Sequence, residues 1–191
     1  MTLDERYLRQ TTLIGERKQQ QLFDAHVVVL GAGGLGSPTL LYLAGAGVGT
    51  ITVIDDDRVD LSNLHRQVIH TTAAIGTAKT ASAKTQMLAL NPDINVRTVS
   101  DRLTWDNALQ LFSDADIIVD GTDNFQTRHI ASHAATRLGV PHVWGGQSSG
   151  LKHSSRCFGQ ATGQSTRTSS PLHQHQAACP LVPRQAWSVH L

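Results

Sequence analysis

Val27-Val28-Val29-Leu30-Gly31-Ala32-Gly33-Gly34-Leu35-Gly36 is the stretch on which the reading of this chain turns. A short apolar run enters a glycine-rich turn, and residues 35–46 then continue at helix length. Residues 50–55 follow as a β-branched strand ending in acid. No charged side chain occurs from Val27 to Ile54, a span long enough to cross a bilayer. Seven glycines and Pro38 break that span into pieces, so it reads instead as buried strand, tight turn, buried helix and second buried strand.

The same alternation continues outward. Residues 75–90 set Ile75, Ala78, Ala81, Thr85 and Leu88 at helical spacing, stopped by Asn91-Pro92. Strands are predicted at 94–99, 115–120 and 142–144. Helices are predicted at 105–112, entered through Thr104 as N-cap, and at 125–138, closed by Gly139. Strands alternating with helices predict an α/β, Rossmann-like, doubly wound and mainly parallel sheet with helices on both faces. Residues 1–146 form that domain, residues 1–25 being an N-terminal helical segment.

Composition narrows the function. The 191 residues carry a formal net charge of +1 and only 16% charged side chains, which gives no reason to expect nucleic acid or an anionic membrane as partner. Cys157 and Cys179 cannot make a four-ligand zinc site, so structural zinc is not expected. The opening Met-Thr-Leu-Asp-Glu-Arg lacks the apolar core of a signal peptide, which sets the expectation of a cytoplasmic protein. All Asp and Glu lie between Asp4 and Asp123, and residues 147–191 are rich in Ser, Thr and Gln. That segment is expected to be an atypical, disordered tail, of the kind a frameshift leaves.

Gly31, Gly33 and Gly36 match G-x-G-x-x-G between a strand and a helix, where the backbone and the helix N-terminus receive a phosphate. Asp55 lies 19 residues past Gly36 at the end of the second strand, where an acid binds a ribose hydroxyl. These residues alone suggest NAD and an oxidoreductase. The polar residues that follow shift the balance. Arg66 and Lys79 supply two cations, which suits the further phosphates of a triphosphate better than a dinucleotide. Thr122-Asp123-Asn124 follows the fourth strand, and an acid there suits Mg²⁺. Each residue also has an ordinary reading: Arg66 as a surface cation, Lys79 as a solvated helix residue, Asp123 as a helix N-cap. Asp56 and Asp60 read as solvated loop residues, and His70, His129, His133 and His142 as satisfied or surface histidines.

Gly-Ala-Gly-Gly-Leu-Gly, the Asp-x-Asp-x-Val segment from Asp55 to Val59, Ser62-Asn63-Leu64-His65-Arg66-Gln67, Lys79 and Thr122-Asp123-Asn124 together resemble the MoeB/ThiF/HesA family. Arg6-Tyr7-Leu8-Arg9-Gln10 resembles its opening motif, and MoeB-like members are the nearest branch. The resemblance implies an adenylyltransferase that uses ATP and Mg²⁺. Its implied partners are a small ubiquitin-like sulfur carrier ending in Gly-Gly and a sulfur donor, with molybdopterin or thiamine synthesis as the setting. By family pattern Asp55 holds the ribose, Gly34 lets the backbone meet the nucleotide, and Asn63, Arg66 and Lys79 contact phosphates. Asp57, Ser62 and Asn124 belong to the same binding set. Asp123 holds Mg²⁺ and acts with Arg66 in catalysis, and Arg9 reaches across a homodimer axis into the partner's site. The family's sheet continues past this point into a carrier groove. The chain is thus expected to keep the nucleotide half, with a sheet incomplete at its C-terminal side; a non-catalytic ATP-binding fragment remains the alternative.

Overall fold

In the computed structural model the described residues are 5–145 and 156–158. The N-terminal segment folds as α1 (Leu8–Ile14) and α2 (Glu16–Asp24), separated by Gly15 at a φ of 84°. The domain proper runs β1 (His26–Leu30), α3 (Gly36–Ala46), β2 (Thr50–Ile54), α4 (Lys79–Leu90) and β3 (Asn95–Val99). It continues through α5 (Ala108–Leu111), β4 (Ile117–Asp120), α6 (Phe125–Leu138), β5 (His142–Trp144) and β6 (Arg156–Phe158). Strand order is β3-β2-β1-β4-β5-β6. Every pairing is parallel except β5 with β6, which is antiparallel. The doubly wound, mainly parallel sheet read from the alternation is therefore the fold. Among the described residues no helix is long and apolar enough to cross a membrane.

Alternation along β1 explains the two-faced core. Val27 and Val29 point to one side, where Leu40, Ala44, Ile51, Val53 and Met87 pack from α3, β2 and α4. Val28 and Leu30 point to the other, against Phe112, Ile118, Ile130 and Ala134. A strand covered by helices on both faces buries every position: all five residues of β1 are buried, Val27 to Leu30 are apolar, and His26 at its start is hydrogen-bonded to the Asp114 carbonyl and Thr52 Oγ1. Each fully buried Val, Leu or Ile contributes roughly 1.5–3 kcal/mol relative to an exposed one.

Several boundaries differ from the sequence reading. The helix predicted from residue 75 begins at Lys79, because Gly76 takes a φ of 85° and Ala78 is extended and bridges to Arg58. Only Ala108–Leu111 of the predicted 105–112 helix is α-helical. Thr104 and Asn107 exchange hydrogen bonds there (Thr104 N to Asn107 Oδ1, 2.8 Å; Asn107 N to Thr104 Oγ1, 3.4 Å), which closes a turn in front of the helix. At the other end β6 adds a strand where the sequence reading placed none. The edge of β5 carries unpaired backbone groups, and β6 covers it with His142 opposite Phe158. The remainder of the predicted tail lies outside the described residues.

The N-terminal helices are tied down by polar groups that the sheet leaves available. Asn91, fully buried after α4, donates to the Tyr7 hydroxyl at 2.7 Å and the Ala44 carbonyl at 2.8 Å. Tyr7 stacks edge-on against Phe23 at 5.0 Å, and buried Gln19 donates to the Ala46 carbonyl at 3.0 Å. Asn91→Ala removes both donations and opens a void, and is expected to cost about 2–4 kcal/mol. Denaturant unfolding followed by circular dichroism measures it; a loss below half that range contradicts the anchoring role.

Candidate functional site

The carboxyl edge of the sheet carries a cavity of about 990 Å³ where β1 and β4 part. Strand order reverses at that point, because β2 lies on one side of β1 and β4 on the other. The turn out of β1 forms its floor. Gly31 sits at a φ of 84°, a left-handed conformation that favours glycine, and a Cβ on Gly36 would run into the Gly31 carbonyl oxygen. Both glycines are therefore dictated by the geometry of the turn. The α3 N-terminus they create turns free N–H groups toward the cavity, as an anion requires.

Gly31, Gly33, Gly34, Asp55, Asp57, Asn63, Arg66, Lys79, Asp123 and Asn124 all line this one cavity. The Asp55 carboxylate is locked by two backbone donors, the Ala32 N–H at 2.7 Å and the Asp57 N–H at 2.9 Å. Its orientation is set by the glycine loop itself. Lys79, at the start of α4, is only 5% exposed and its Nζ meets the Asp57 carboxylate at 2.7 Å. It is thus a buried, paired cation aimed into the cavity, unlike a solvated helix lysine. Arg66 packs beside Gly34 and donates from Nη2 to Asn63 Oδ1 at 2.8 Å. A neutral partner leaves the guanidinium charge uncompensated there.

Three residues from the sequence reading stand elsewhere. Gly36 is buried behind the loop and shapes it from below. Ser62 donates from its N–H and its hydroxyl to Asp60 Oδ1, which caps a short 3₁₀ turn and does not border the cavity. Those two hydrogen bonds hold the Asp60 carboxyl below its ordinary value. Arg9 is exposed on α1, away from the cavity of this chain. Asn124 lines the cavity and also caps α6, accepting from the Gln126 N–H at 2.9 Å, so the cap is Asn124 and not Asp123.

Two acidic groupings could take a cation. The ligand atoms of Asp55, Asp56 and Asp57 lie within 4.8 Å of one another. Each is already engaged: Asp55 by backbone N–H groups, Asp56 by Arg102 at 3.2 Å, and Asp57 by Lys79. Asp123 is exposed at the cavity wall and pairs with no side chain among the described residues, and its hard carboxylate oxygen suits Mg²⁺.

The cavity also contains residues that the sequence reading did not single out as site residues. Gln67 is 4% exposed and lies beside Gly33 with its Oε1 unpaired among the described residues. Asp101, Arg102 and Leu103 enter from the loop after β3, and Arg128 from the first turn of α6. The shared position of these segments at strand carboxyl ends was the available signal. His70, buried beneath the loop, bonds the Ala32 carbonyl at 3.0 Å and Ser82 Oγ at 2.9 Å, and is a satisfied histidine as expected.

Residues 7–187 match the ThiF family. The chain belongs to that family. Among curated relatives, a protein designated adenylyltransferase/sulfurtransferase MoeZ from Mycobacterium tuberculosis is 54% identical over 132 residues, 69% of this chain and 34% of its own length. The sulfur carrier protein adenylyltransferase of Thermus thermophilus is 48% identical over 143 residues, 74% of this chain and 53% of its own. The chain thus spans about a third to a half of these relatives. Among solved structures, the tRNA N6-threonylcarbamoyladenosine dehydratase TcdA of E. coli in complex with ATP aligns at a TM-score of 0.72 and 30% identity, covering 78% of this chain and 65% of that one. E. coli MccB with AMPCPP and MccA aligns at 0.68 and 29% identity, covering 76% and 44%.

Two stability measurements test this geometry. In the Lys79–Asp57 pair the lysine side chain is 6% exposed and the aspartate 67%. Asp57→Ala strands a buried ammonium and is expected to cost about 1–3 kcal/mol, more than Lys79→Met, which leaves a solvated carboxylate. Equal losses in urea unfolding contradict the burial asymmetry. Burial also holds His70 below its ordinary value of 6.5, with the Ala32 hydrogen bond opposing and the Lys79 charge adding to the effect. The unfolded chain then binds the proton more readily, so stability is full above that value and falls as acid is added. Thermal midpoints are expected to decline as the pH falls below 6.5, with His70→Gln flattening the decline.

Proposed function

We propose that this ThiF-family chain carries out adenylyl transfer, activating the C-terminal Gly-Gly carboxylate of a small ubiquitin-like sulfur-carrier protein with ATP. One observation carries the reading: Arg66 and buried Lys79 line the same cavity as the glycine loop, Asp55 and Asp123. Two cations beyond the helix N-terminus exceed what a dinucleotide's pyrophosphate needs and match a triphosphate. The names of the relatives, sulfur-carrier adenylyltransferases among them, support the reaction class, and the ATP complex of a structural neighbour supports the nucleotide.

The chemistry follows from charge. A carboxylate oxygen of the carrier attacks the α-phosphorus of ATP. The bond from that phosphorus to the bridging oxygen breaks, leaving an acyl-adenylate and pyrophosphate. Negative charge accumulates on the departing pyrophosphate, so fixed cations are the main protein contribution. Lys79 is oriented by Asp57 and Arg66 by Asn63, and both meet the phosphates without first being ordered. Asp55, held by the Ala32 and Asp57 N–H groups, retains acceptor capacity for ribose hydroxyls. Asp123 would hold Mg²⁺, which when bound neutralises phosphate charge. Sulfide-level sulfur from a donor then attacks the acyl carbon, the bond from that carbon to the AMP phosphate oxygen breaks, and AMP leaves with the carrier as thiocarboxylate; molybdopterin or thiamine synthesis and a cytoplasmic setting fit that chemistry.

A homodimer belongs to the proposal. Tyr42 is 81% exposed and borders an apolar cavity of about 660 Å³ with Leu41 of α3, Val68 and Leu90. A second copy seated there would cover this apolar patch, and the family resemblance assigns Arg9 the role of reaching into the partner's site.

ATP–pyrophosphate exchange with a panel of Gly-Gly-ending carriers is the test. Carrier-dependent exchange is expected in the wild type, absent in Asp123→Ala and reduced about 10²–10³-fold in Arg66→Ala and Lys79→Ala. Wild-type exchange in Asp123→Ala contradicts the reading. ATP binding with no exchange for any carrier indicates the non-catalytic alternative, and preferential binding of NAD indicates an oxidoreductase.

A further inference from the structure

We propose that Arg128 is the positioning residue for Asp123, clamping the loop that carries it to the end of β5 through Trp144; the inference rests on the reading that Asp123 serves Mg·ATP. Asp123 has no side-chain partner among the described residues, so its placement depends on its neighbours. On one side Asn124 is fixed as the cap of α6. On the other, Thr122 is gripped twice. Its N–H and hydroxyl donate to Asp120 Oδ1 at 2.8 and 2.6 Å, and its carbonyl accepts from Arg128 Nη2 at 2.6 Å. The same Nη2 reaches the Gly145 carbonyl at 3.3 Å, so one atom spans the loop after β4 and the end of β5.

The flat face of the guanidinium does further work. It lies 4.4 Å from the Trp144 ring centroid and 5.6 Å from that of Phe125, with the side chain 13% exposed. With Cζ over both rings, the guanidinium has cation–π support on its aromatic side while Nη2 reaches both carbonyls.

An ordinary buried ion pair would look different. Asp120 is fully buried, yet its Oδ2 is 3.8 Å from Arg128 Nε and 3.6 Å from His142 Nε2, beyond hydrogen-bond reach of either. All three atoms lack hydrogen-bond partners among the described residues. The short contact of Arg128 goes instead to the loop carbonyl next to Asp123. Pairing with Asp120 is the minor part of what the side chain does, and holding Thr122 is the major part. A lysine would keep the charge and lose both the stacked plane and the two-carbonyl reach.

The 191-residue chain, Arg128→Lys and Arg128→Ala are compared by hydrogen exchange and by ATP titration with and without Mg²⁺. In both variants, amide exchange over residues 121–124 is expected to quicken about tenfold, while β1 and β2 amides keep their wild-type rates. The gain in ATP affinity on adding Mg²⁺ is expected to shrink about tenfold in both variants, in Arg128→Lys as well, although the lysine keeps the charge. Millimolar ethylguanidinium, which restores the planar cation, should return both readouts in Arg128→Ala. Wild-type exchange rates at 121–124 in either variant overturn the proposal, as does acceleration spread equally over β1 and β2. Should Arg128→Ala fail to fold, Arg128→Lys decides alone. A wild type whose ATP affinity ignores Mg²⁺ contradicts the Asp123 reading, and the exchange rates still decide the clamp.

Discussion

The contact between Gly31 and Gly36 is the constraint around which the molecule is arranged. The chain leaves β1 in a left-handed turn and enters α3 so closely that no side chain fits between the first and last glycine of the loop. That turn sets the α3 N-terminus at the point where the sheet reverses direction. It also places the Ala32 N–H to hold Asp55 and the Ala32 carbonyl to hold His70. A bulkier residue would push the helix away from the strand, and the cavity wall, the Asp55 carboxylate and the buried histidine would lose their common reference.

Around that turn the charges are arranged by burial as much as by sign. Lys79 is buried and its partner Asp57 exposed, while Arg102 and Asp56 are both substantially solvated. A buried ammonium is costly without a partner, and the Asp57 carboxylate at 2.7 Å supplies one. Arg66 leans on the neutral Asn63 and retains its charge for an incoming anion. Opposite, the loop after β4 is built from Asp120 and Arg128, which fix Thr122 and leave the Asp123 side chain unencumbered.

Much of this was readable from the order of residues. The apolar runs and their glycine and proline stops gave β1, α3, β2, α6 and β5 to within a residue or two, because period and punctuation are local properties. Of the cavity's residues, the glycines, Asp55 and Asp123 follow from a parallel sheet's bringing strand carboxyl ends to one edge, whereas Asp57, Asn63 and Asn124 were named through the resemblance to the family. Boundaries failed where backbone conformation overrode pattern. Gly76 delays α4, and the Thr104–Asn107 exchange turns the start of a predicted helix into a loop. Ser62 was carried along by its place in the motif, yet its hydroxyl is consumed by Asp60 two residues away.

Sequence alone settled the layer architecture, the glycine turn and the identity of the cations, since each depends on residue type within a short window. Tertiary structure decided which side chain meets which. Whether Lys79 is solvated or buried against Asp57, 22 residues away, depends on how α4 docks on β2. That Arg128 grips Thr122 while stacking on Trp144 follows from the pairing of β4 with β5. Such contacts join segments whose separation along the chain carries no periodic signal, and only the packed sheet brings them within reach.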